Sequence, residues 1–180
     1  MMVMSHLRIL TVLVSVAAFV SAAGAEQVQK QSVPGTTNFS RVDATVACGG
    51  ATTALAFPAL EAQGFTSIVN LRQASEPGAD IETSKASAES VGLKYIHLPF
   101  NGASPEPAIV DQFLKAVTDT ANQPVYIHCA SANRVGALWL VKRVLVDKWP
   151  VEKATAEARA IGLTSAALEQ FALEYIRNHS

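Results

Sequence analysis

The chain has 180 residues, 49% of them hydrophobic and 16% charged, and a formal net charge of −1 at pH 7. Such a composition belongs to a globular protein of one domain and excludes disordered, fibrous and low-complexity chains. With 14 basic against 15 acidic residues, nothing favours nucleic acid or an anionic membrane as a partner.

Part of the hydrophobicity lies at the start. MMVMSHLRIL carries a single Arg8, an apolar run follows from Ile9 to Val20, and small residues lead to Ala23-Gly24-Ala25 before Glu26. This pattern predicts a secretory signal over residues 1–25 with an A-x-A cleavage site. A membrane anchor is the competing reading, but the run falls well short of the roughly 20 apolar residues that a spanning helix needs, so no stable anchor is expected after cleavage. The expected location is secreted, in the periplasm. Cutting there removes Arg8 and no acidic residue, which takes the charge to −2. Only Cys48 and Cys129 would then enter an oxidising compartment. A small secreted domain held by disulfides carries more cysteines, so this fold must rest on its core.

Residues 26–38 (EQVQKQSVPGTTN) are polar, contain Pro34-Gly35, and read as a flexible leader to a domain over 39–180. VDATVA (42–47) is a strand candidate stopped by Gly49-Gly50. Pro58 to Gln63 reads as a short helix with proline in its first turn and Gly64 past its end. TSIVNL (66–71) is a second strand, 80–91 a helix ended by Gly92, and LKYIHLPF (93–100) a third strand closed by Pro99. The loop NGASPEP (101–107) leads into a helix over 108–117 with Ile109, Phe113, Leu114 and Val117 on one face, and VYIHC is the fourth strand. Helices are expected over 134–146, 151–160 and 165–176, the last capped by Thr164 or Ser165.

Strands separated by helices predict a single α/β domain with a mainly parallel central sheet of about four to five strands, flanked by helices. Ligands in such sheets sit at the carboxyl ends of the strands. Three loops should meet there: Arg72–Gly78, Asn101–Pro107 and Cys129–Arg134.

The third of these carries the chemistry. In PVYIHCASANRVGALWLVKR an apolar strand ends at His128-Cys129, Ala130, Ser131, Ala132 and Asn133 follow, and Arg134 opens a helix. A thiol at that junction faces loop and helix N–H groups and a guanidinium, all of which favour the nucleophilic thiolate. The same groups form a cradle for a tetrahedral oxyanion. Small side chains let the backbone approach the anion, and Asn133 tolerates left-handed dihedrals. A buried structural thiol is the competing reading, but it leaves Arg134 at that spacing unexplained. His128 either lowers the thiol pKa or hydrogen-bonds the loop backbone; the second is favoured because adjacent strand residues point to opposite faces.

His-Cys, a short loop, then Arg opening a helix resembles the signature of the protein tyrosine and dual-specificity phosphatases. CGGATT, GFTSIVNLRQASEPG and KYIHLPF resemble the corresponding segments of bacterial beta-lactamase-hydrolase-like phosphatases, which carry a similar shortened loop. The resemblance runs over about Phe39 to Gly162. It implies a cysteine-phosphatase fold with no cofactor or metal, Cys129 as nucleophile, Arg134 as oxyanion clamp, and residues 130–133 with Val135 as the phosphate-binding loop. The partner it implies is a phosphorylated protein or small molecule.

Three features depart from the pattern of tyrosine phosphatases. Four residues rather than five lie between Cys129 and Arg134. Val135 replaces the usual hydroxyl residue, and Asn101-Gly102 stand where an aspartic general acid is expected. A missing acid would cost about 10²- to 10⁴-fold in rate, least for aryl phosphates, whose leaving group is already good. Glu106 is the one carboxylate in that loop and a candidate substitute, against a plain charge at a helix N-terminus; Asp111 should sit a turn too far along. Glu76 is expected either to hold Arg134 through a bidentate ion pair or to pair with Arg72. His97 is expected as a strand residue hydrogen-bonded near the site. Cys48 is either a buried free thiol or a disulfide partner of Cys129.

Two other classes of function stand beside the phosphatase. A rhodanese-like sulfurtransferase uses a loop of this size and needs no general acid, and a module that binds phosphorylated ligands without turnover would tolerate Val135. The four histidines, His6, His97, His128 and His179, show no ligand-like spacing for a metal.

Overall fold

The computed structural model describes residues 28–180, so the stretch read as a secretory signal lies outside the described residues. The described chain folds as a single α/β domain. Six strands form one sheet: β1 Gln29–Lys30, β2 Ser40–Arg41, β3 Val46–Gly49, β4 Ser67–Asn70, β5 Lys94–His97 and β6 Val125–His128. Six α-helices accompany them: α1 Phe57–Ala62, α2 Ile81–Ser90, α3 Pro107–Thr118, α4 Asn133–Leu145, α5 Val151–Ile161 and α6 Ala166–His179.

The strand order is β1-β2-β3-β6-β4-β5. The four strands from β3 to β5 are mutually parallel, while β1 and β2 add an antiparallel edge. The parallel four are the strands legible in the sequence, because each is a short apolar run between turn residues. Side chains alternate between two cores. Cys48, Val69 and Ile127 face the cluster that holds Phe113, Leu138, Trp139 and Ile176 of α3, α4 and α6. Ala47, Ile68, Tyr95 and Tyr126 face the one that holds Phe57, Leu60 and Ala88 of α1 and α2.

Two expectations need correction. The strand expected over 42–47 is a hairpin turn followed by β3: Asp43 Oδ1 accepts from the Thr45 N–H at 2.8 Å, and the Val42 N–H donates to the Val46 carbonyl at 3.0 Å. The Asp43 side chain closes its own turn and overrides the alternating pattern. The segment 26–38 is likewise not a free leader where the structure describes it. Gln29–Lys30 pair with β2, Val33 is buried, and Thr36 bridges Thr52. One buried valine and a row of backbone hydrogen bonds are enough to hold a polar segment that hydropathy alone leaves loose.

Candidate active site

The three expected loops converge on Arg134, the second residue of α4. Its Nη1 donates to the Leu71 carbonyl (3.2 Å), the Phe100 carbonyl (3.1 Å) and Glu76 Oε1 (2.6 Å), and its Nη2 donates to Glu76 Oε2 (2.8 Å). Leu71 follows β4, Phe100 follows β5, and Glu76 stands in the first loop, so one guanidinium joins all three carboxyl strand ends. A guanidinium has five N–H donors. With those bonds made, Nε and one proton of Nη2 remain as a side-by-side pair, the fork that fits two oxygens of a tetrahedral anion.

Glu76 reaches back as well: Arg72 Nε donates to its Oε2 at 3.3 Å, and the Gln73 N–H donates to its Oε1 at 2.7 Å. The two alternatives weighed for Glu76, a pair with Arg134 or with Arg72, are therefore both present. Hydrogen bonds from Arg134 hold the Glu76 carboxyl down to about 2, against the pull of burial. Burial would lower the Arg134 pKa, but the bonds to Glu76 and the nearby Cys129 sulfur outweigh it and raise it instead.

Cys129 is wholly buried directly after β6, and its N–H donates to the Gly49 carbonyl at 3.3 Å. Two residues beyond Ile127, it faces the same core as Cys48, and both thiols are free. Burial pushes the Cys48 thiol well above its ordinary range. From Ala130 to Val135 no backbone N–H donates to a backbone acceptor among the described residues. Unbonded amides at the start of a helix are an anion site with its dipole aimed correctly.

The loop geometry corrects one assignment. Ala132, not Asn133, takes the left-handed conformation (φ 73°). Asn133 is spent on the α5–α6 connection, where its Oδ1 accepts from the N–H groups of Thr164 (2.7 Å) and Ser165 (2.8 Å). Ala130 and Ser131 are exposed at the mouth, while Val135 lies wholly in the core. An apolar side chain there completes the packing of α4 and offers no hydroxyl to the sulfur.

His128 faces away from Cys129, into the opposite core, stacked on Tyr126 with ring centroids 5.8 Å apart. Neither ring nitrogen closes a hydrogen bond, although backbone of Cys129 and Gly50 lies beside the ring. Burial, with the Arg72 charge, pushes it down to about 3, so the ring is neutral at physiological pH. The expected hydrogen bond from His128 to the loop is therefore not made.

His97 Nε2 donates to the Arg72 carbonyl at 2.8 Å, which fixes both the ring and the first loop. Glu106 is exposed at the N-cap of α3 and accepts no capping bond, so its side chain is unengaged there. Asp111 accepts from the Tyr175 hydroxyl at 2.5 Å and belongs to the α3–α6 contact. Asn101 Oδ1 closes its own turn on the Ala103 N–H at 3.0 Å.

Sequence reasoning missed a fourth wall. The Gly50 N–H donates to the Thr37 carbonyl at 2.7 Å and the Thr37 N–H to the Ala51 carbonyl at 2.9 Å, which lays residues 37–38 beside the Cys129 loop. A Cβ on Gly50 would come within 2.5 Å of Thr37 Oγ1 and 3.2 Å of the Ala130 carbonyl. The pair Gly49-Gly50 was the available signal, since adjacent glycines at a strand end mark close backbone approach.

A parallel sheet with a Cys-x4-Arg loop at its carboxyl edge defines a cysteine-phosphatase fold. The family model described as DSP-PTPase phosphatase fused to NAD+ kinase matches residues 19–174, and the chain belongs to that family. Among curated proteins it is 34% identical over 91 residues to a beta-lactamase hydrolase-like protein of Agrobacterium fabrum, covering 49% of this chain and 21% of that one. A beta-lactamase hydrolase-like protein of Xylella fastidiosa is 31% identical over 104 residues, covering 56% of this chain and 23% of that one. The chain thus spans about a fifth of the length of these relatives. Among solved structures, the core catalytic domain of the PP-IP phosphatase Siw14 from S. cerevisiae, in complex with citrate, superposes with a TM-score of 0.67 at 24% identity, covering 80% of this chain and 88% of that one. TpbA from P. aeruginosa does so with a TM-score of 0.66 at 19% identity, covering 88% and 92%. At these identities the likeness is one of fold.

Proposed function

We propose that this phosphatase works through a phosphocysteine intermediate on Cys129. The reading is carried by one observation: a buried cysteine at a strand end, followed by a loop whose backbone N–H groups make no backbone hydrogen bond and by an arginine that Glu76 holds in place. In the first step Cys129 Sγ attacks phosphorus, the S–P bond forms, the ester P–O bond breaks, and the leaving oxygen takes up a proton. Arg134 and the amides of 130–135 hold the three equatorial oxygens, whose charge grows in the transition state. Water then attacks phosphorus, the S–P bond breaks, and inorganic phosphate leaves with the thiolate restored.

Glu106, exposed at the end of the loop that follows β5 and making no capping bond there, is the candidate proton donor to the leaving group. Substrates with good leaving groups suit such a site, so aryl phosphates, phosphotyrosine among them, are the class we assign. The structural neighbour TpbA has been captured with pTyr, which agrees with that class.

The reduced protein, assayed on an aryl phosphate, is expected to release phosphate, and Cys129→Ser to release none. The same samples given thiosulfate and cyanide should form no thiocyanate. Thiocyanate without phosphate would overturn the phosphatase reading in favour of sulfur transfer.

We also propose export to the periplasm, on the strength of the charged, apolar and small-residue order of residues 1–25. Mass spectrometry of the protein recovered from its native cell envelope should find an N-terminus at Glu26. An intact Met1 in the cytosolic fraction would refute export.

A further inference from the structure

Asn38 lies in the segment that composition assigned to the leader, yet it touches the anion loop. Its backbone is left-handed (φ 52°). Lys30 Nζ donates to its Oδ1 at 2.5 Å and to the Ile161 carbonyl at 2.9 Å. An ammonium can only donate, so Oδ1 must face Lys30, and Nδ2 is left facing two carbonyls. It donates to Ile161 O at 3.2 Å and to Ser131 O at 3.4 Å.

Space for that amide is reserved by a glycine. At Gly162 a Cβ would stand 2.7 Å from Asn38 Nδ2 and 2.8 Å from the Cβ of Ala132, and the Gly162 φ of 149° is itself one that side chains avoid. Four segments therefore meet at one peptide: β1 through Lys30, the 37–38 wall, the end of α5, and the loop at Ser131-Ala132.

The orientation of that peptide matters to the chemistry. The carbonyl and N–H of a trans peptide point opposite ways, so a Ser131 carbonyl held toward Asn38 turns the Ala132 N–H inward. If the peptide flipped, a carbonyl oxygen would face the phosphate, replacing attraction with repulsion. Ala132 already bears the cost of a left-handed backbone, which makes the flip an accessible alternative unless something opposes it.

We propose that Asn38 is a positioning residue of the oxyanion loop, locking the Ser131–Ala132 peptide in its anion-binding orientation with Lys30 setting the amide. The inference rests on the oxyanion-cradle reading of the loop. It does not require turnover, because binding of a bare oxyanion reports it directly.

The test uses the whole protein and tungstate as the probe. Asn38→Gly keeps the left-handed backbone and removes the amide, and Asn38→Asp sets an acceptor against the two carbonyls. Loss of one net hydrogen bond predicts tungstate affinity weaker by about threefold to tenfold in both, with a matching loss of kcat/KM on an aryl phosphate. Lys30→Met should give a smaller loss of the same kind. A merely structural role would lower the melting temperature and leave the tungstate Kd of the folded protein unchanged. Both Asn38 variants binding tungstate as tightly as the wild type overturns this inference alone. If Asn38→Gly fails to fold, wild-type affinity in Lys30→Met overturns it as well. A wild type that binds tungstate without cleaving the ester fails the phosphatase proposal while the affinity ratios still decide this one. A wild type that binds no tungstate overturns both.

Discussion

Glu76 shows how much of the site rests on one carboxylate. It accepts from both terminal nitrogens of Arg134, which leaves the fork of Nε and Nη2 free and fixed in direction, and it ties the β4–α2 loop to its own start through Arg72 and Gln73. Glu76→Gln keeps the size but halves the acceptor capacity, so Arg134 should lose its fixed angle and kcat/KM should fall about tenfold or more. The same group predicts a pH dependence. Its folded-state pKa is depressed from the ordinary 4.5 to about 2, so its stabilisation is fully present above the first value and is lost as pH falls toward the second. Melting curves of the wild type and Glu76→Gln should differ by a constant amount at neutral pH and converge toward pH 2. Convergence at higher pH, or none, would show that another group carries the effect. Cys129 and Arg134 were legible in the sequence because spacing from a strand end fixes where a helix N-terminus falls. His128 was half legible: strand alternation gives its direction, but not the absence of a hydrogen-bond partner, which depends on the packing around Tyr126.

Among the elements, α4 is the one that both opens the site and anchors the core. Every residue from Val135 to Val141 is buried, and Gly136 lets α4 approach the end of α5, where a Cβ would lie 2.8 Å from that of Leu163. At the far end of α4, Arg143 lies between the rings of Trp139 and Trp149 and donates to Glu157 (2.6 Å), Asp147 (2.9 Å) and Asp43 (3.2 Å). Trp139 Nε1 donates to the same Glu157 at 2.8 Å. Hydrogen bonds to Glu157 and Asp147 raise the Arg143 pKa well beyond its ordinary value, against burial. Arg143→Leu would leave the buried Glu157 without its cation and should destabilise the fold by about 3–5 kcal/mol in denaturant unfolding. Removing both charges, Arg143→Leu with Glu157→Leu, should recover much of that loss, and a double variant as unstable as the single one would refute the pairing as the cause. None of this hub was visible in the sequence, where Asp43, Arg143 and Glu157 are scattered charges on separate elements.

Across the whole molecule, what the sequence determined by itself was the alternation of strand and helix, the parallel sheet, and the Cys129 to Arg134 loop at its carboxyl edge. Apolar runs, glycine stops and helical spacing are local, and each acts over a few residues whatever the rest of the chain does. Only the tertiary structure decided the rest: that Glu76 engages Arg72 and Arg134 together, that Asp43 turns a presumed strand into a hairpin, and that Asn38, far from Ser131 in sequence, sits against the anion loop. The Glu76–Arg134 and Asn38–Ser131 contacts join residues 58 and 93 positions apart, and they depend on an ion pair that several neighbours share and on a backbone approach that glycines at 50 and 162 permit. Hydropathy and spacing carry no record of such approaches, because the energy that selects them arises only when the sheet and its helices are already packed.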